Sequence, residues 1–271
     1  MTSSRIAVVT GGTRGIGLGL ARELLARGHQ VAVCGRSQAS VDTGVATLRA
    51  DLADPGRVLG VVTDVADRAA VQALWDHTVA TFGRVDIWIN NAGISAPRGP
   101  LAEQPSDRVD AVVQTNLIGA FNGSAIAQAG MATQAGGGWI WNMEGFGSRG
   151  EHQPGMATYG ASKRAVQYLT EALVRDTKGS PVKVGFLSPG IVATDLLVGD
   201  YADQPQEFEK VKKIFNILGD RVETVTPWLV EQVLDASKHG TRVAWLTKPK
   251  AMGRFMGAGF RKRDIFAPQG V

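Results

Sequence analysis

The chain has 271 residues, of which 44% are hydrophobic and 20% charged, a composition typical of a globular domain with one large core. Its single cysteine excludes an internal disulfide and a paired cysteine site for zinc, and no apolar run approaches the 18 residues that a membrane span requires. The net charge of +4 is mildly basic, and a basic cluster at residues 261–263 could touch anionic lipid or nucleic acid, although a solvated tail is favoured.

Short β-branched runs alternate with helical periodicity along the first 190 residues. Seven strands are predicted, over residues 6–10, 31–34, 59–62, 87–90, 139–142, 182–188 and 243–247. Between the strands, apolar residues recur at helical spacing, as in Ile16, Leu20 and Leu24. Only five residues precede the first strand, which predicts no cleavable signal and a soluble, cytoplasmic protein.

This alternation predicts the fold class. Strands that alternate with helices build a parallel sheet covered on both faces. Without internal repeats or a low-complexity linker, we expect one α/β domain over residues 1–271, a doubly wound, Rossmann-type sheet of about seven strands. Residues 195–225 and 248–271 depart from the pattern, and insertions at this edge of such a sheet usually cover a ligand. We therefore expect both segments, including a C-terminal extension, to cover the substrate.

A glycine-rich loop, from Thr10 to Gly17, follows the first predicted strand and opens the first helix. Its glycines let the backbone approach a pyrophosphate, which the helix N-terminus attracts. A glycine cluster alone could be a structural turn, but its place between a strand and a helix favours nucleotide binding. The expected cofactor contacts are Gly11, Thr13, Arg14, Gly15, Ile16 and Gly17.

The end of the second strand bears on the choice between NAD and NADP. An acidic residue there would bind the ribose 2′-hydroxyl, but residues 33–37 contain Arg36 and no acid. Together with Arg14, Arg36 offers two guanidinium groups, which suit a 2′-phosphate. Either arginine alone could be an ordinary surface residue, and the pair predicts NADPH/NADP as the cofactor.

Two further strand ends face the same crevice. Asp64 and Val65 follow the third strand, where the carboxylate could meet the adenine amino group or could cap the next helix. The fourth strand ends in Asn-Asn-Ala-Gly, whose amides can lock neighbouring strands while its small residues leave room for a cofactor. We expect cofactor contacts from Asn91, Ala92 and Gly93.

Tyr159 and Lys163 lie four residues apart, on one face of a predicted helix. A free phenol has a pKa near ~10, too high for easy proton exchange at neutral pH. A nearby ammonium group favours the phenolate and lowers that pKa. Such a pair in isolation is usually a plain helix surface, but after a glycine loop and five strands it indicates a reaction centre.

Taken together, these motifs resemble the short-chain dehydrogenase/reductase family over about residues 5–195. The resemblance implies that Tyr159 donates a proton to a carbonyl oxygen, and that Lys163 binds the nicotinamide ribose and tunes the phenol. It also implies that Asn116 joins a water-linked proton relay. Residues that would flank the nicotinamide and its phosphates are Pro189, Gly190, Val192 and Thr194.

One departure from this family concerns a serine that usually precedes the tyrosine by about thirteen residues, a position that Phe146 holds here. The nearest serine, Ser148, could bind the carbonyl if the loop is reshaped, or it could be a loop hydroxyl. Glu144 could be a second polar group at the reacting carbon or a solvated loop acid. Glu144 and Phe146 are the candidate substrate residues, and no metal site is expected.

The same loop is similar to that of the chlorophyll b reductases of plants and their bacterial relatives. Further likeness lies in residues 187–190, 194–197 and 248–266. It implies reduction of the 7-formyl group of chlorophyll(ide) b to hydroxymethyl, a step of chlorophyll catabolism. The wider family implies a homo-oligomer. The tail would support at most a weak peripheral membrane contact, and no nucleic-acid partner is expected.

Two alternatives to chlorophyll(ide) b reduction remain. One is a reductase of the same mechanism that acts on another bulky apolar aldehyde or ketone. The other is a sensor that binds NADP(H) without turnover, which the displaced serine favours. The intact set of Tyr159, Lys163 and Asn116 argues against the sensor.

Overall fold

A seven-stranded parallel sheet forms the centre of the computed structural model, which describes residues 4–50, 52–199, 201, 205–259 and 263–267. The strand order is β3-β2-β1-β4-β5-β6-β9, and β7 and β8 form a separate two-stranded sheet. The strands are β1 (Ile6–Val9), β2 (Gln30–Gly35), β3 (Val58–Val62), β4 (Ile87–Asn90), β5 (Gly138–Met143), β6 (Val182–Ser188), β7 (Val192–Ala193), β8 (Asp220–Arg221) and β9 (Arg242–Ala244).

Helices cover both faces of the large sheet. They are α1 (Gly15–Ala26), α2 (Gln38–Arg49), α3 (Arg68–Phe82), α4 (Ser106–Val112), α5 (Gly119–Thr133), α6 (Ala157–Asp176), α7 (Asp195–Gly199), α8 (Pro205–Leu218), α9 (Val222–Asp235) and α10 (Lys248–Gly257). Since side chains alternate along a strand, Ala7 and Val9 pack in a core with α1 and α9, whereas Val8 packs in a second core with α3, α5 and α6. The central strands are largely apolar because both of their faces are buried.

The strand order reverses between β1 and β4, which lie side by side although β2 and β3 come between them in the chain. At such a reversal, the loops that follow the two strands diverge and leave a crevice at their carboxyl ends. The glycine loop after β1 and the Asn-Asn-Ala-Gly segment after β4 border this crevice. The predicted fold class and all seven predicted strands are confirmed, with bounds that differ by at most three residues.

Polar contacts with Asp220 hold helix α10 of the C-terminal segment in place. Arg254 of α10 forms an ion pair with the buried Asp220 at 2.7 Å, and the indole Nε1 of Trp245 donates to the same carboxylate at 2.6 Å. These contacts hold α10 against the end of α8. The predicted basic cluster includes Arg261 and Lys262, which lie outside the described residues. Among the helices described, none combines the length and apolar character needed to cross a membrane.

Candidate active site

A cavity of about 820 Å³ occupies the crevice at the carboxyl ends of the strands. The glycine loop, the ends of β2 to β6 and one face of α6 line it. Its remaining wall comes from α7 and α8, with apolar side chains from both helices: Leu196, Leu197, Val211, Ile214, Phe215 and Leu218. Part of the first predicted covering segment therefore lines the cavity, and its contact with a substrate stays a prediction. The described part of the second segment is not among the lining residues, and its helix α10 packs against α8.

The glycine loop is shaped for close approach of a ligand. Gly11 and Gly15 have φ of +63° and +55°, a region that favours glycine. A side chain at Gly17 would collide with the carbonyl oxygen of Gly11 and the amide of Asn91. No side chain that the structure describes caps the first turn of α1, and Gly15, Ile16 and Gly17 of that turn line the cavity. The loop and the helix N-terminus therefore form a cradle that suits a pyrophosphate.

A basic rim borders one end of the cradle. Arg14 and Arg36, both exposed, line the cavity there. Ser37 and Ser40 line it beside them, and the Ser37 hydroxyl caps α2 by accepting from Ser40 N at 3.3 Å. The positive end of α2 thus adds to the two guanidinium groups. This arrangement favours an anionic ligand group at the rim.

Asp64 does not cap α3, so that interpretation of the sequence was wrong. Asp64 Oδ1 accepts from Ala66 N at 2.9 Å in the turn before the helix. The N-cap is Asp67, whose carboxylate accepts from Ala69 N at 2.8 Å. Val65 lines the cavity. A contact of Asp64 with adenine stays a prediction.

Asn90 at the end of β4 and Asn91 directly after it fix the crevice, as their sequence predicts. Asn90 Nδ2 donates to Asn142 Oδ1 of β5 at 2.8 Å, which locks two neighbouring strands. Asn91 Nδ2 donates to Thr10 O at 2.9 Å and so ties this segment to the glycine loop. Ala92 and Gly93 line the cavity next to them, as do the other predicted cofactor contacts Pro189, Gly190, Val192 and Thr194.

Tyr159 and Lys163 face the cavity together from α6. Lys163 Nζ lies 5.8 Å from the centre of the Tyr159 ring and donates to Met143 O at 3.2 Å. The lysine is 5% exposed, and burial lowers its pKa to about 8, an effect that the carboxylate of Glu144 opposes. The phenol therefore has a cation beside it in a largely dry site, which stabilises a developing phenolate.

Asn116 lies near Tyr159 and Lys163, in an irregular stretch of helix. Residues Val113–Ile118 form a π-helical turn between α4 and α5, a distortion often found at functional sites. Asn116 Oδ1 accepts from Ile94 N at 2.8 Å, and its Nδ2 donates to Ser162 Oγ at 3.0 Å. A Cβ at Gly93 would lie 3.4 Å from Asn116 Oδ1 and 3.6 Å from Lys163 Nζ. The structure thus groups Asn116, Lys163 and Tyr159.

Ser148 is held inside its own loop. Its hydroxyl accepts from Gly145 N at 3.0 Å and donates to Lys163 O at 3.2 Å, and the residue is buried. Both roles of the hydroxyl are therefore used by the backbone, which favours the loop interpretation over carbonyl binding. Phe146 lines the cavity and is 37% exposed, and its contact with a substrate stays a prediction.

Glu144 is not a solvated loop acid, so the interpretation that the sequence slightly favoured was wrong. The residue is 3% exposed, lines the cavity and forms an ion pair with Arg242 of β9. Burial raises the pKa of Glu144, and Arg242 opposes that rise. Sequence reasoning missed Arg242 because 98 residues separate it from Glu144 and no local motif marks it.

Gly145 is a second residue that sequence reasoning missed. A Cβ built on it would lie 2.5 Å from the Tyr159 hydroxyl oxygen, so the phenol packs against this glycine. Its one signal in the sequence is its place in the loop that departs from the family. Gln153, Met156 and Arg98 also line the cavity, and the Arg98 guanidinium stacks over the Tyr201 ring at 4.3 Å.

Comparisons with known proteins agree with the fold. A family model for the short chain dehydrogenases matches residues 5–205. The chlorophyll(ide) b reductase NOL of Arabidopsis thaliana is 36% identical over 259 residues, which cover 93% of this chain and 72% of that protein. The probable chlorophyll(ide) b reductase NYC1 of the same plant is 33% identical over 280 residues. That match covers 98% of this chain but 55% of the relative, so the chain spans about half of its length.

Relatives with other activities and solved structures are also similar to this chain. A 3alpha-hydroxysteroid dehydrogenase of Mediterraneibacter gnavus is 35% identical over 197 residues, which cover 73% of this chain and 77% of that protein. The crystal structure of a xylitol dehydrogenase with bound NAD+ matches with a TM-score of 0.77 and 25% identity, covering 89% of this chain and 97% of that one.

Proposed function

The chain belongs to the short-chain dehydrogenase/reductase family of oxidoreductases, and from this premise we propose that it is an NADPH-dependent carbonyl reductase that acts on the 7-formyl group of chlorophyll(ide) b. One observation carries the proposal. The Tyr159–Lys163 pair opens onto the same cavity as the glycine cradle and the basic rim of Arg14 and Arg36. A proton donor and a cradle for an anionic dinucleotide are the two parts that such a reduction needs.

The residues present fit a nicotinamide dinucleotide phosphate. The cradle would hold the pyrophosphate, because Gly15, Ile16 and Gly17 line the cavity at the N-terminus of α1. Arg14 and Arg36 would hold the 2′-phosphate, a dianion that the positive end of α2 also favours. Lys163 would bind the nicotinamide ribose. When bound, NADPH supplies the hydride that reduces the carbonyl carbon.

In this proposal Tyr159 protonates the carbonyl oxygen. Lys163 stabilises the phenolate that remains, since an ammonium in a site of low polarity favours the ionised phenol. Asn116 holds the segment after β4 through Ile94 and would pass protons to Lys163 through water. The apolar wall from α7 and α8 excludes bulk water from the reacting groups.

Two observations support a large apolar aldehyde as the substrate. The wall that α7 and α8 contribute to the cavity of Tyr159 includes Leu196, Leu197, Val211, Ile214 and Phe215, and Phe146 lines the same cavity from the loop after β5. The relatives NOL and NYC1, which match over more than nine-tenths of this chain, are a chlorophyll(ide) b reductase and a probable chlorophyll(ide) b reductase. Chlorophyll(ide) b combines an aldehyde with a broad apolar ring system, and so it fits both.

An NADPH assay with chlorophyllide b tests the proposal. We expect consumption of NADPH and a product with the absorption spectrum of the 7-hydroxymethyl derivative. Tyr159→Phe should keep NADPH binding and lose nearly all turnover. Tyr168→Phe is the matched control, because Tyr168 lies on the same helix and is 72% exposed.

The outcomes separate the alternatives. Full activity of Tyr159→Phe would remove that residue from the mechanism. Turnover of other bulky aldehydes or ketones, without turnover of chlorophyllide b, would keep the reductase and change the substrate. Tight NADPH binding without reduction of any carbonyl compound would support the sensor.

A further inference from the structure

A buried carboxylate borders the reaction centre from the end of β5. Glu144 follows the last residue of the strand, and its backbone N–H donates to Leu187 O of β6 at 2.8 Å. The side chain is among the cavity-lining residues, although it is 3% exposed. An ionised group in such a place requires partners, because removal of a charge from water is costly.

Arg242 supplies one partner. Its guanidinium donates to Glu144 Oε1 from the last strand of the sheet, and it lies over the Phe186 ring at 4.4 Å. The arginine is therefore held on two sides and fixes the carboxylate. The second carboxylate oxygen, Oε2, is buried and has no hydrogen-bond partner among the residues that the structure describes. A charged oxygen left this way needs a favourable charge nearby.

Lys163 is a cation that lies along the short segment of residues 143–145, which contains Glu144. Its Nζ donates to the carbonyl oxygen of Met143, the residue directly before Glu144. Its stem passes Gly145, where a Cβ would lie 3.1 Å from Lys163 Cγ and 3.2 Å from Cε. The lysine side chain thus lies along residues 143–145, with its ammonium at the carbonyl oxygen of Met143. Burial lowers the pKa of Lys163, and the charge of Glu144 opposes this effect.

We propose that Glu144, fixed by Arg242, is a positioning residue whose carboxylate keeps the Lys163 ammonium charged and held beside the Tyr159 phenol. The inference rests on the proposed function, because it assigns Glu144 a part in the chemistry of the Tyr159–Lys163 pair. The other charged groups near Glu144 are Arg149 and Glu151, both in the loop that follows it. They carry opposite charges, so their fields at Glu144 partly cancel.

Titration of Lys163 tests the inference without substrate. The protein is labelled with ¹³C-lysine, and the Lys163 Cε signal is identified by its loss in Lys163→Met. Glu144→Gln keeps the shape of the side chain and removes its charge. It should move the midpoint of the Lys163 titration to lower pH by about one pH unit, as expected for loss of one nearby opposite charge. Glu144→Asp, which keeps the charge, should move it by less than half as much.

An unchanged midpoint in Glu144→Gln would overturn the inference. Thermal melts check that each variant folds, and Arg242→Gln serves if Glu144→Gln does not. Without Arg242, the carboxylate acts on Lys163 with less competition from another cation. The midpoint should then rise, and an unchanged or lower midpoint would equally overturn the inference.

A kinetic measurement connects the charge to the reaction. The alkaline limb of the pH profile of kcat/KM should move to lower pH in Glu144→Gln, because removal of a negative charge favours the deprotonated forms of both Lys163 and Tyr159. A purely structural defect would lower kcat/KM at every pH and leave the limb in place, which would contradict the inference. If the wild-type protein reduces no carbonyl compound while the Lys163 midpoint still moves, the proposed function fails and the electrostatic coupling stands.

Discussion

The hydroxyl oxygen of Tyr159 lies directly against the backbone of Gly145, so closely that a Cβ on the glycine would be 2.5 Å from it. The same Cβ would meet the stem of Lys163 at 3.1 Å. The absence of a side chain at position 145 of the loop after β5 therefore leaves room for the side chains of Tyr159 and Lys163. The phenol can face the cavity in this position because residue 145 is a glycine.

Gly145→Ala should displace the phenol and slow reduction. The φ of Gly145 is not positive, so its backbone accepts alanine and the conflict is with the phenol and the Lys163 stem. A displacement of about 1 Å at a reacting group can cost on the order of 100-fold in rate. We expect kcat to fall at least about tenfold, with the Kd for NADPH little changed. Steady-state kinetics and NADPH fluorescence measure the two quantities.

Gly99→Ala is the matched control for this substitution. Gly99 lies in a loop near the same cavity, and nothing stands within 4 Å of its added Cβ. Its kcat should match the wild type. Equal kcat values for Gly145→Ala and Gly99→Ala would mean that the phenol has room to move without loss of function.

Arg36→Ala should weaken NADPH binding far more than NADH binding. Arg36 borders the rim where the 2′-phosphate would lie, and NADH lacks that group. Loss of one guanidinium–phosphate interaction should raise the KM for NADPH about tenfold or more. The KM for NADH should stay within about twofold. Arg22→Ala, an exposed arginine on α1, is the control. Equal losses for both cofactors would contradict the assignment of the rim.

Local spacing in the sequence predicted the parts of the site that lie within one element or one turn. The glycine loop needed only its position between β1 and α1, and the pairing of Tyr159 with Lys163 needed only helical periodicity. Local spacing did not determine which residue caps a helix where two similar residues lie close to its start. Asp64 and Asp67 both suit a helix start, and the structure gives the cap to Asp67.

The remaining parts of the site depend on contacts between distant segments. The ion pair of Glu144 with Arg242 joins β5 to β9, which no spacing rule connects. The role of Ser148 depends on whether its hydroxyl turns to the cavity or to Gly145 N, and the fold of the loop decides this. Such contacts follow from packing of the sheet, which periodicity does not determine.

Ser148→Ala should destabilise the protein as well as slow it. The Ser148 hydroxyl satisfies Gly145 N and Lys163 O, and loss of a buried hydrogen-bonding group costs about 1–3 kcal/mol. Because those partners border the phenol and the ammonium, we also expect reduction to slow about tenfold. Denaturant unfolding and steady-state kinetics give the two effects. A slower enzyme with unchanged free energy of unfolding would instead favour direct contact of Ser148 with the carbonyl.

Lys163→Met should stabilise the folded chain at neutral pH while it abolishes activity. Burial lowers the pKa of Lys163 from 10.5 to about 8, so the folded state holds this proton less tightly than the unfolded state. Below pH 8 the charged lysine costs the fold up to about 3 kcal/mol. Between pH 8 and 10.5 the unfolded state binds more protons, so the free energy of unfolding of the wild type should rise with pH through this window.

The stabilisation by Lys163→Met should accordingly be largest below pH 8 and shrink as the pH approaches 10. Loss of the hydrogen bond to Met143 O offsets part of it, so we expect a gain of about 1–3 kcal/mol at pH 7. Urea unfolding at pH 7 and pH 10 measures the difference. Lys178→Met, on an exposed lysine, should change little at either pH. A Lys163→Met protein that is equally destabilised at both pH values would mean that the hydrogen bond outweighs the burial of the charge. In the expected case the site retains its lysine at a cost in stability, because the reaction needs a cation beside Tyr159.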